Sequence, residues 1–254
     1  MLDTHCHLTY EPLVSKLEEV LQRADAAGVS HMLTVGTDAA DARRCIELCQ
    51  GRENLRCSVG VHPGNVARVD DGELGAIVEL AASSVVIAIG EIGLDYHRGR
   101  EHRQRQIEFF IAQTALASRL GLPAIVHSRD AVDDALAVLR DVKLTGVVFH
   151  CFTGSRAEAT RILDAGYFLG FDGPITFKKS DDLRRIVEAV PMDRMLLETD
   201  SPFLSPEPVR KQSACEPAFL VHTAKMVAQI KGRTLSQVDE LTTSNASRLF
   251  RWPS

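Results

Sequence analysis

Eight short runs rich in branched aliphatic residues recur along this chain, separated by longer segments with helical apolar spacing. The strand-like runs cover residues 1–5, 30–35, 55–61, 85–89, 123–127, 146–150, 167–171 and 194–198. The helical segments cover 13–27, 39–50, 71–82, 101–120, 130–140, 156–165, 181–190, 218–231 and 236–248. Eight strand–helix repeats in 254 residues are what a (β/α)8 TIM barrel requires. The rival is a doubly wound open sheet, which would place a glycine-rich phosphate turn after the first strand. Here that position holds His5-Cys6-His7, and no GxGxxG follows. No Pro/Gly/Ser-rich linker or low-complexity tract interrupts the chain, so residues 1–254 are read as a single domain. With 45% hydrophobic residues, the chain has material for one large core.

In a barrel the carboxyl ends of all strands converge on one mouth, and polar residues there become neighbours. Six of the runs end in or lead into polar residues of this kind. In an extended strand, residues i and i+2 share a face, so His5 and His7 can grip one object together. The third run leads into Val61-His62-Pro63, the fourth into Gly90-Glu91-Ile92-Gly93-Leu94-Asp95-Tyr96, and the fifth into His127-Ser128-Arg129. The sixth ends at His150-Cys151 and the eighth at Glu198-Thr199-Asp200. Taken singly, each also fits a bland role: a strand-end histidine is commonly a hydrogen-bonded core residue, Glu91 fits a salt bridge, and Asp200 fits the turn before Pro202. Only the barrel makes them convergent.

Convergence of His5, His7, Glu91, His127, His150 and Asp200 constrains the chemistry. Four imidazoles and two carboxylates suit Zn, Mn or a similar divalent metal and are too nitrogen-rich for a dedicated calcium site. Six ligands also exceed the three that one open catalytic zinc takes from protein. Two ions about 3.5–4 Å apart would use all six and leave room for water and substrate. Glu91 is the expected bridge. Related two-metal barrels often bridge with a carboxylated lysine, and no lysine lies between Lys16 and Lys143. Asp200 is expected to bind one ion and to orient or deprotonate the attacking water. Asp3 faces inward as a candidate for orienting the two histidines from behind. Cys6 and Cys151, each adjacent to a histidine, should alternate away from the ligands and serve as packing.

A net charge of −5 argues against a broad nucleic-acid-coating surface, though not against a small phosphate-reading site. No run of about twenty apolar residues is present to cross a bilayer. The amino terminus lacks the basic start and greasy stretch of a secretory signal. A cytoplasmic protein with six reduced cysteines is therefore expected, with no membrane association and no obligate protein partner, as a monomer.

The segments DTHCHL (3–8), GVHPG (60–64), IGEIGLDY (89–96), LPAIVHSRDA (122–131), HCFTGS (150–155), LLETDSPFL (196–204) and NASRLF (245–250) resemble, in combination, the TatD family of metal-dependent deoxyribonucleases. The resemblance spans the chain. It implies a metal site built from the same six residues and adds His62 and Glu198 near the reacting phosphate. It further implies hydrolysis of DNA phosphodiesters, often as a 3′–5′ exonuclease on single strands, with two divalent ions (Zn, Mn or Mg). Arg129, Arg210 and Tyr96 are candidate substrate contacts, and Lys178, Lys179 and Lys211 could extend a basic rim. Phe203 is a second aromatic for base stacking, weighed against a role in wall packing. One departure lies at the rim: Lys211-Gln212-Ser213-Ala214-Cys215-Glu216-Pro217 stands where the family commonly has a glycine-bearing loop ending Asn-Glu-Pro. The alternative reading is hydrolysis of a small ester, amide or phosphoester on the same barrel, because an activated water does not specify its target.

Overall fold

The computed structural model describes residues 1–70, 72–97, 99–144, 146–211 and 214–252. Gln212 and Ser213 of the rim loop lie outside them. The strands are β1 (Leu2–Cys6), β2 (His31–Val35), β3 (Leu55–Val59), β4 (Val86–Asp95), β5 (Ala124–Arg129), β6 (Val147–Phe149), β7 (Phe168–Phe171) and β8 (Met195–Leu197). The helices are α1 (Leu17–Ala26), α2 (Ala39–Cys49), α3 (Gly72–Leu80), α4 (Arg103–Leu120), α5 (Val132–Arg140), α6 (Arg156–Asp164), α7 (Asp181–Ala189), α8 (Leu220–Lys231) and α9 (Leu235–Phe250). The strands form one sheet in sequence order. Cys6 also bridges in parallel to Ser201, just beyond β8, so the first and last strands are neighbours. The fold is a (β/α)8 barrel, as the eight alternating runs predict. No helix among the described residues is long and apolar enough to cross a membrane.

Within the barrel the chain resolves into two compact units, Met1–Thr34 with Cys151–Ser254, and Val35–His150. In the first, β7 pairs with β8 through Leu169↔Met195 and Phe171↔Leu197, and β1 pairs with β2 from Leu2↔His31. Its core includes Met32, Leu33, Leu169, Phe171, Leu196, Val227 and Phe250, all essentially inaccessible. Capping boxes start two of its helices. Ser155 and Glu158 exchange hydrogen bonds at α6, and Thr234 and Gln237 do so at α9, satisfying amide donors that a helix end otherwise leaves unpaired. Asn245 on α9 is buried and donates through Nδ2 to the carbonyls of Met192 (2.7 Å) and Met195 (2.9 Å), tying the helix to the start of β8.

In the second unit, β3 to β6 pair in parallel, with Ile89, Ile92, Leu94, Phe110, Val126 and Phe149 filling the interior. Two buried glutamines of α4 fix the backbone at strand ends. Gln113 accepts from Val61 N (2.6 Å) and donates to Val61 O (3.2 Å), while Gln106 does the same to Asp95 (2.9 and 3.1 Å). Each bidentate amide replaces the partners that a chain leaving a sheet would lose.

β4 runs well past its expected end at residue 89, because Ile92 to Asp95 pair in register with Val126 to Arg129 of β5. Gly93 makes this possible: at φ +134°, an added Cβ would sit 2.1 Å from the His127 carbonyl oxygen. α5 begins at Val132 and not at residue 130, since Asp130 takes φ 55°.

Candidate metal centre

In the first unit, β1 brings His5 and His7 to one carboxylate. Their Nε2 atoms lie 3.7 and 3.4 Å from Asp200 Oδ1, with both imidazoles buried. Asp200 is held there by backbone bonds on either side: its own N donates to His5 O (2.9 Å), and His7 N donates to Ser201 O (2.7 Å). Asp200 takes φ 54°, a left-handed conformation that turns its side chain out of the strand path. Cys6 points the other way, its thiol donating to Leu33 O (3.4 Å), as alternation requires.

Asp3 is fully buried and accepts from His5 N (3.3 Å), Thr199 N (3.0 Å) and Thr199 Oγ1 (2.6 Å). It therefore anchors the β8 loop and the His5 backbone. Burial pushes its carboxyl up to about 7 despite those hydrogen bonds. Glu198, one residue past β8, is also buried; it accepts from Cys151 N and from Thr4 Oγ1 (3.3 Å). Burial, together with the charges of Asp172, Asp200 and Asp3, raises Glu198 well above the carboxylate range. Gly170 leaves room for it, since a Cβ there would lie 2.6 Å from Glu198 Oε2.

In the second unit, one carboxylate oxygen gathers three imidazoles. Glu91 Oε1 lies 2.7 Å from His150 Nε2, 2.8 Å from His127 Nδ1 and 3.4 Å from His62 Nε2. Burial alone would raise the Glu91 carboxyl, but His150, His62 and the hydrogen bond with His127 hold it well below the usual range. On its far side, His127 Nε2 meets Asp95 Oδ2 at 3.1 Å. Burial opposes a charged His127, yet the hydrogen bonds to Asp95 and Glu91 push it up to about 9, and Asp95 is drawn down to about 2 against its own burial. Without a metal, this cluster balances its two carboxylates by keeping a proton on imidazole. A divalent cation can take over that role and displace the proton, so the donor set fits a metal.

His62 is different in kind. Its Nδ1 accepts from Gly64 N (2.9 Å), which leaves Nε2 as the protonated, donating nitrogen. It suits hydrogen bonding to an oxyanion better than ligating a cation. Next to it is a cavity of about 340 Å³, lined by His62, Asp95, Glu101, His102, Gln106 and Arg129 among others.

The predicted substrate contacts fare unequally. Arg129 is exposed and lines that cavity. Arg210 stacks its guanidinium 3.7 Å from the Phe177 ring centroid. Tyr96 is 6% exposed, its hydroxyl donates to Asp134 (2.7 Å), and Arg100 lies 5.0 Å from its ring centroid, so the structure places it in the wall and not on a stacking surface. Phe203 is 48% exposed, 5.9 Å from the His7 ring and 6.2 Å from that of Tyr10. Cys215 in the rim loop is fully buried, its N donating to Pro202 O (3.0 Å).

Three residues at these strand ends escaped the sequence reading. Asp95 lies inside the quoted GLDY motif, two residues beyond Gly93, yet only the extension of β4 brings it to His127. Asp172 directly follows the seventh strand, the same signal that found the others. Cys151 corrects the packing expectation: at φ 45° it leaves the strand alternation, and its sulfur lies within 4.8 Å of ligand atoms of Asp172 and Asp200.

A family model described as TatD related DNase matches residues 2–251. The chain is 40% identical over 255 residues to the uncharacterized metal-dependent hydrolase YcfH of Escherichia coli K12, covering 98% of this chain and 95% of that protein. It is 37% identical over 256 residues to the 3′-5′ ssDNA/RNA exonuclease TatD of Klebsiella pneumoniae, covering 98% and 97%. The crystal structure of YjjV, a TatD homologue from Escherichia coli K12, superposes with a TM-score of 0.94 at 30% identity, covering 100% of this chain and 98% of that one.

Proposed function

Because the chain belongs to the TatD-related DNase family and is a metal-dependent hydrolase, we propose that it cleaves phosphodiester bonds of DNA, working from 3′ ends of single strands with two divalent ions (Zn, Mn or Mg). The observation that supports this reading is the convergence of His127 and His150, with His62 beside them, on Oε1 of the buried Glu91.

On this reading His5, His7 and Asp200 would hold one ion and His127 and His150 the other, Glu91 would be the carboxylate they share, and residues 1–254 would act as one domain. Such ions would supply Lewis acidity at the phosphorus and would lower the pKa of the attacking water. Asp200 orients that water and accepts its proton. Its side chain is 13% exposed, open enough to reach incoming water while fixed by the backbone bonds of Ser201 and His5. His62 donates from Nε2 to a nonbridging phosphate oxygen, where negative charge grows in the transition state. Glu198, its carboxyl raised by burial and by neighbouring carboxylates, is on this reading a residue near the reacting phosphate. Arg129 anchors a phosphate from the cavity beside His62. The exposed face of Phe203 next to Tyr10 supports a base by stacking, which tolerates any sequence.

The test uses metal-stripped protein with Mg, Mn or Zn restored, single-stranded and duplex DNA labelled at either end, and a panel of esters and amides. Stepwise shortening from the 3′ end of single strands is expected, with both activity and bound metal lost in Glu91→Gln. Turnover of small esters with DNA left intact would overturn the nuclease reading in favour of the small-substrate hydrolase.

A further inference from the structure

Asp172 has a place in the fold and no part in the reaction described above. It directly follows β7 and is 1% exposed, and its Oδ2 has no hydrogen-bond partner among the described residues. Leaving a buried carboxylate oxygen unpaired costs on the order of 1–3 kcal/mol or more, so a group in this position keeps a proton or holds a cation. Beside it stands Cys151. On the other side is Asp200. Ligand atoms of Cys151, Asp172 and Asp200 all lie within 4.8 Å of one another. Cys151 and Asp200 both take left-handed backbone conformations, φ 45° and 54°, and such strain in non-glycine residues persists where the surroundings require a particular side-chain direction.

We propose that Cys151, Asp172 and Asp200 form a further divalent-cation site, separate from the ligand sets already described and sharing only Asp200 with them. Zinc–sulfur and zinc–oxygen bonds of about 2.3 and 2.0–2.2 Å separate neighbouring ligand atoms by roughly 3.3–3.8 Å, inside the 4.8 Å within which the ligand atoms of these three residues lie. A thiolate among the ligands selects zinc and similar soft or borderline ions over magnesium and manganese. On binding, the Cys151 S–H bond breaks, its proton leaves to solvent, and the sulfur lone pair binds the ion; a proton on Asp172 leaves in the same way. The zinc-loaded protein therefore binds one more equivalent of metal than the manganese-loaded form.

Cobalt(II) is the probe, because sulfur ligation gives a near-ultraviolet charge-transfer band that imidazole and carboxylate do not. Full-length wild type, Cys151→Ser and Asp172→Asn are titrated with cobalt, and total metal is counted by elemental analysis. The wild type is expected to show the sulfur band. Cys151→Ser should lose the band together with one equivalent of cobalt, and Asp172→Asn should weaken binding of that equivalent at least tenfold while circular dichroism stays native. Visible bands of histidine-bound cobalt without a sulfur band would overturn this site and leave the two-ion reading standing. A sulfur band that survives in Cys151→Ser would assign it to another thiol and likewise overturn the site. Wild type that binds no cobalt would overturn both readings.

Discussion

Gly93→Ala tests whether the long fourth strand sets the position of His127. Two costs add at this residue. First, φ +134° is a conformation that alanine adopts only with strain, about 1–3 kcal/mol. Second, the new methyl would start 2.1 Å from the His127 carbonyl oxygen, where real Cβ atoms keep at least 3.0 Å, so β4 and β5 must part by roughly 0.9 Å. The obstacle is backbone in the ladder Ile92↔Val126, Gly93↔His127, Leu94↔Ser128, and it cannot swing aside as a flexible side chain would. Overpacking of this kind costs about 1–3 kcal/mol. Together the loss is about 4 kcal/mol, a large fraction of the ~5–15 kcal/mol by which domains are stable.

Urea unfolding of metal-stripped protein, followed by circular dichroism, measures that loss directly. The same displacement reaches the imidazole, since active-site ligands must hold position within about 0.5 Å. Zinc affinity of the folded fraction, measured by competition with a chelator, should therefore fall about 10–100-fold, the range seen when a group supporting a ligand is disturbed. A variant within about 0.5 kcal/mol of wild type and with unchanged zinc affinity would refute the reasoning. Stability lost with affinity kept would refute only the step from strand spacing to His127.

Three further outcomes are expected. Gly75→Ala, on the exposed face of α3 where an added Cβ meets nothing within 4 Å, should stabilise by about 0.5–1 kcal/mol, read as a higher urea midpoint at unchanged slope. Asn245→Ala removes the donors to Met192 O and Met195 O in a buried position and should cost about 2–4 kcal/mol in the same assay, with Asn245→Asp no better because a carboxylate has no N–H to donate to either carbonyl. Asp134 is lowered below its ordinary 3.8 by the Tyr96 hydroxyl first and by Arg103 second. Its contribution is therefore present above that value and lost as pH falls through the depressed one, so a small stability deficit of Asp134→Asn at neutral pH should close in acid unfolding curves below pH about 4.

Strand alternation let His5 and His7 be read from seven residues of sequence, because β1 ends only one residue before His7 and the period of two still brings both imidazoles to Asp200. The same rule misplaced Cys151. It is adjacent to His150, and alternation turns neighbours apart, but at φ 45° the chain has left the strand, and the side chain comes round to Asp172. Asp95 was hidden for the opposite reason: the fourth strand continues where a loop was expected, and only the absence of a Cβ at Gly93 shows that the chain can stay against β5. Contacts such as Tyr96 to Asp134 or Arg210 over Phe177 join residues more than thirty positions apart, and no local periodicity encodes them. Sequence pattern thus reaches as far as the backbone stays regular. The strand ends, where residues such as Asp200 and Cys151 turn to positive φ, are where the candidate metal ligands lie and where regularity stops. That is why a list of strand-end polar residues named the histidines and Glu91 but not Asp172: an acid after a strand reads as a turn until its buried, unpartnered oxygen is seen.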